Sequence, residues 1–104
     1  MSFATEPAGY EKTALSDLQG AWSNLRDAVV ESFGFPKSDK LLFHIDEAMS
    51  WESVRDLQKM QSTWLLVHNI SVQTSSPEEV IYWVGEVRQS LDATFEAIAE
   101  GQVK

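Results

Sequence analysis

Apolar side chains recur at steps of three and four along three long stretches of this chain. Between residues 75 and 101, in SSPEEVIYWVGEVRQSLDATFEAIAEG, the positions Val80, Val84, Val87, Leu91, Phe95 and Ile98 share one side of a helix at 100° per residue. The ends carry matching signals. Ser76 and Glu79 have the spacing of a capping box, Pro77 suits a first helical position, and Glu78 and Glu79 fall at the positive end of the dipole. Gly101 supplies the left-handed residue that commonly closes such an element. The spacing predicts a helix over 77–100.

A second stripe, Leu15, Leu18, Trp22, Leu25 and Val29, predicts a helix over 11–33 that packs lengthwise on another helix. Beside it Ala14, Ala21 and Ala28 repeat every seven residues, a column of small side chains that admits a close neighbour. That neighbour is either a helix of the same chain or a second molecule. Gly34-Phe35-Pro36 ends the element, because the residue before proline is pushed out of helical space. After Ser38 the short apolar run DKLLFHIDEAM reads as a helix over 39–48, with a strand over 40–46 as the alternative. Ser50 reads as a further N-cap, opening a helix over 50–71 with the stripe Val54, Leu57, Met60, Trp64 and Val67. The alternating, β-branched run at residues 70–74 leaves a strand over 63–73 as the alternative there.

Rods of about 21 to 24 residues are roughly 32–36 Å long and pack side by side without overhang. The expected fold is therefore all-α: an up-down-up bundle of three long helices plus the short one, in preference to a small α/β fold with strands near 40–46 and 63–73. The 104 residues suit one domain, at 10–101, between a flexible N-terminal tail (1–9) and a flexible C-terminus (102–104).

Charge narrows the range of partners. Sixteen acidic residues against eight basic ones give a formal charge of −8, so phosphate backbones and anionic lipid are repelled and no direct nucleic-acid or membrane binding is expected. The absence of cysteine removes disulfides and thiolate chemistry. MSFATEPAGY has neither a basic nor an apolar leader region, and Trp64 to Val67, the longest strongly apolar run, is far short of a membrane span. The expected location is the cytoplasm.

Candidate chemistry is sparse. His44 and Glu47 would share a helical face near Asp46, but the di-iron order Glu-x-x-His is reversed and occurs once, so no metal or other cofactor is expected. His68 reads as a boundary residue. No nucleophile signature, phosphate loop or zinc pattern occurs, and the expectation is a protein that is not an enzyme.

Apolar residues exceed what the stripes use. Leu65, Leu66 and Trp51 lie round from the Trp64 face, and on the last helix Tyr82 projects away from the Val84 stripe with Ile81 and Gly85 on its flank. A glycine inside a helix costs about 1 kcal/mol relative to alanine, which suggests a close backbone approach at Gly85. The same helix carries Glu78, Glu79, Glu86, Asp92 and Glu96 against a single basic residue, Arg88, a face that is either solvated or a docking site for a basic protein. Two functions follow as expectations. The first is a helical interaction module that self-associates as a homodimer and works as an adaptor, small chaperone or structural subunit. The second is an acidic inhibitor or immunity-type protein covering a basic nuclease or other nucleic-acid-binding protein.

Overall fold

Four helices account for the regular structure of the computed structural model, which describes residues 9–54 and 56–99. They are α1 (Gly9–Glu31), α2 (Ser38–Ser53), α3 (Leu57–Gln73) and α4 (Glu78–Ala99). Both predicted tails fall largely outside the described residues, as does Gly101. No strand occurs among the described residues, and the two stretches for which a strand is the alternative lie within α2 and α3.

The helix of α2 follows from its burial pattern. Leu41, Ile45 and Ala48 are fully buried at steps of four and three, which a strand would split between two faces. At the end of α3 the hydroxyls of the β-branched run are satisfied locally: Ser71 Oγ donates to the carbonyl of His68 at 2.8 Å and that of the C-cap Thr74 to the carbonyl of Ile70 at 2.7 Å.

The expected helix over 50–71 is corrected. Residues 50–53 finish α2, and Ser50 Oγ donates back to the carbonyl of Glu47 at 2.6 Å instead of capping a new helix. The N-cap is Asp56, whose Oδ1 accepts from the amide of Lys59 at 3.1 Å while its own amide donates to the carbonyl of Trp51 at 3.0 Å. Val54, placed in the core by the sequence pattern, is exposed in the turn. Three long helices and a short one thereby become helices of 23, 16, 17 and 22 residues.

Each helix lies against two others. α1 packs on α4 and α2, and α3 packs on the same two, with the α1–α4 contact the most extensive and the α3–α4 contact the least. Ala14, Ala21 and Ala28 are all buried, and Thr94 Oγ1 on α4 reaches the carbonyl of Ala14 at 3.4 Å. Ala21 also lines a shallow groove with Trp83, Glu86 and Ser90 of α4. The alanine column is thus the α1–α4 seam within one chain.

Between the helices Trp22, Leu18, Leu25, Val29, Met60, Val67, Val80 and Val87 are fully buried, each large apolar side chain contributing about 1.5–3 kcal/mol. The indole of Trp22 donates to Met60 Sδ at 3.2 Å across the core. On α4 the predicted stripe holds through Leu91 and then rotates. Thr94 and Ala97 are buried, Phe95 is half-buried against the core and Ile98 is exposed, and Thr94 Oγ1 donates to the carbonyl of Ser90 at 2.8 Å. Outside the core, Arg26 Nε donates to Asp46 Oδ1 at 2.7 Å and ties α1 to α2. That hydrogen bond, and then the charge of Asp46, raises the Arg26 pKa above its ordinary value.

The remaining connections are set by residues in left-handed backbone. Gly34 (φ 116°) and Lys37 (φ 65°) turn the chain into α2, and Ser38 Oγ accepts from the amide of Gly34 at 3.1 Å. α3 ends in a Schellman arrangement: the amide of Ser76 donates to the carbonyl of Ser71 at 3.2 Å and that of Ser75 to Val72 at 3.4 Å, with Ser75 at φ 52°. The capping-box expectation is revised here. Ser76 Oγ meets Thr74 Oγ1 at 3.1 Å, and the first carbonyl used by α4 is that of Pro77, which accepts from Ile81.

Candidate interaction surface

Between α3 and α4, the least extensive of the four main helix contacts, a cleft of about 230 Å³ opens, lined by Gln61, Trp64, Leu65 and His68 on one side and Arg88, Leu91 and Asp92 on the other. Its floor is Trp64, buried, with the indole N–H donating to the carbonyl of Val84 at 2.9 Å. That bond fixes the ring across the seam. His68 stacks on it at 5.0 Å and 19° between planes, and the Arg88 guanidinium stands 5.8 Å from its centroid. Arg88 Nε is 3.8 Å from Asp92 Oδ2, longer than a hydrogen bond, and both side chains are about two-thirds exposed (66% and 63%).

The residues singled out from the sequence do not form a single patch. Leu65 (52% exposed) is on the wall of the cleft. Leu66 (48%) is 100° further round, toward the side of α3 where Lys59 meets Trp51 of α2. On α4 Ile81 (45%) is exposed on the same side as Arg88, with the exposed Gly85 and Tyr82 (57%) progressively further round toward the outer side. Trp51 is corrected: it belongs to α2, packs against the core, and carries Lys59 Nζ 4.9 Å from its ring centroid. The close approach expected at Gly85 is not met within the chain, since a Cβ built there would touch nothing within 4 Å.

The acidic residues divide in the same way. Glu78, Glu79, Asp92 and Glu96 are exposed, and Asp92 lines the cleft. Glu78 and Glu79 border a shallow hollow with Tyr82 and Trp83, whose rings meet edge to face at 5.0 Å. Glu86 is half-buried in the groove toward α1.

Other exposed apolar residues escape the sequence pattern. Phe43 on α2 is two-thirds exposed and meets His44 edge to face at 5.3 Å, and Val72 is exposed near the end of α3. A signal for Phe43 is present but needs the correct bounds of α2: one residue of Leu41-Leu42-Phe43 must point outward when Leu41 and Ile45 point in. The cleft has only a faint sequence signal in Trp64, His68 and Arg88, which separate elements bring together.

His44 Nδ1 lies 3.1 Å from Glu47 Oε1, and among the described residues no group of three His, Asp or Glu side chains is placed to hold a metal ion. No described helix is long and apolar enough to cross a membrane. Compared with family models, with curated proteins and with solved structures, the chain matches none.

Proposed function

We propose that this protein is a non-catalytic helical interaction module that self-associates as a homodimer, serving as an adaptor, small chaperone or structural subunit. The observation that carries the reading is the exposure of Leu65, Leu66, Ile81 and Tyr82 on α3 and α4. At the α3–α4 seam a second protein surface would gain from burial, because Leu65 on the cleft wall and Ile81 beside it are still in contact with water. The alanine column does not support this reading, since α4 of the same chain covers it. Light scattering on the whole chain tests it. The expected mass is that of two chains, returning to one chain in the Leu65→Glu, Ile81→Glu variant with the helical signal retained. A wild-type mass of one chain at all concentrations contradicts the reading.

A second reading, an acidic inhibitor of a basic nuclease or other nucleic-acid-binding protein, is favoured by the hollow where Glu78 and Glu79 meet Tyr82 and Trp83. Carboxylates beside aromatic faces suit an arginine or lysine from a partner. In that case a captured partner is basic, and its affinity falls steeply with added salt. Salt-independent capture would exclude it.

A further inference from the structure

We propose that the second copy docks on the α3–α4 seam, its α4 antiparallel to the first about a two-fold axis midway between Arg88 and Asp92, so that each Arg88 pairs with Asp92 of the other chain. This rests on the self-association reading and assigns the surface. A two-fold antiparallel contact places residue i opposite residue j with i + j constant, so a self-complementary face must carry opposite charges symmetrically about its centre. On α4 Arg88 and Asp92 do so, flanked symmetrically by the uncharged Ile81 and Ala99. They fall within about 40° of one another at 100° per residue, at spacings of seven, four and seven.

Charge selects this register. α4 holds five carboxylates and one cation, and each chain carries a formal −8, so most pairings of two α4 helices set acid on acid. On this face a register that set Arg88 opposite the exposed Glu96 would put Asp92 opposite its own copy, whereas the register centred between 88 and 92 does not. It brings Arg88 to Asp92 twice. Within one chain the two groups stand 3.8 Å apart and mostly in solvent, so pairing across the axis competes only with that long contact and with the Arg88 position over the Trp64 ring. At the centre, Leu65 on the cleft wall and Ile81 at the edge supply exposed apolar area for the contact to cover.

The test uses two variants of the whole chain, Arg88→Asp and Asp92→Arg, with sedimentation equilibrium as the readout. Alone, each faces like charge on like charge across the axis, and its dimer dissociation constant should rise by at least about tenfold. Mixed in equal amounts they should form a heterodimer close to wild-type affinity, because the paired carboxylates of the first variant then face the paired guanidinium groups of the second. Circular dichroism confirms that each variant is folded, as two exposed side chains should allow. A structural role within one chain could not produce rescue on mixing. If both variants dimerise as wild type does, or mixing restores nothing, the seat is elsewhere and this proposal falls while self-association stands. If the wild-type chain is monomeric throughout, both fall.

Discussion

Two single residues carry more of the backbone geometry than their neighbours. Asp56 ends one helix and begins the next, since its amide closes on Trp51 while its carboxylate caps Lys59. Asp56→Ala should cost about 0.5–2 kcal/mol, measured as a shift of the urea midpoint with unchanged slope. Ser75 is the opposite case. A side chain at φ 52° carries the left-handed penalty that glycine avoids, and the Schellman bonds of the neighbouring amides hold it there. Ser75→Gly should therefore stabilise the protein by about 0.5–1 kcal/mol, read in the same denaturation experiment. A loss of stability would mean that the Ser75 side chain contributes more than its backbone strain.

Between elements, the α1–α4 seam has the least room for change. Ala21 is buried on α1 beside Trp83, Glu86 and Ser90 of α4, so Ala21→Leu should overpack the seam and cost about 1–3 kcal/mol. A neutral result would mean that a neighbour can give way there. The existence and type of α1 and α4 are legible in the sequence because long stripes and small-residue spacing agree over many turns. The boundary between α2 and α3 is not. It contains neither glycine nor proline, and Ser50, the more obvious cap, satisfies its hydroxyl inside the last turns of α2. Thr94 escapes for a related reason: a polar residue reads as surface, yet its hydroxyl is satisfied by Ser90 and Ala14, which allows it to be buried beside Phe95. Of the candidate surface, Leu65, Leu66, Ile81 and Tyr82 can be placed by turning each helix 100° per residue. Trp51 cannot, since the sequence pattern assigns it to the wrong helix. The cleft requires tertiary structure, because Trp64, Leu65 and His68 come from α3 while Arg88 and Asp92 come from α4.

For the molecule as a whole the decisive quantity is charge. Two chains of −8 repel one another over tens of ångströms, whereas pairs in close contact act over a few. Raising ionic strength from about 0.01 M to about 0.15 M shortens the screening length from about 30 Å to about 8 Å and removes mainly the long-range repulsion. Self-association should therefore hold or strengthen with salt over that range, whereas docking on a basic partner should weaken. The sharpest test of self-association is sedimentation equilibrium of the untagged chain across a wide concentration series at both ionic strengths. The expected result is a monomer–dimer equilibrium that moves toward two chains as protein concentration rises and is not weakened by salt. A single-chain mass at every concentration and both salts would contradict it.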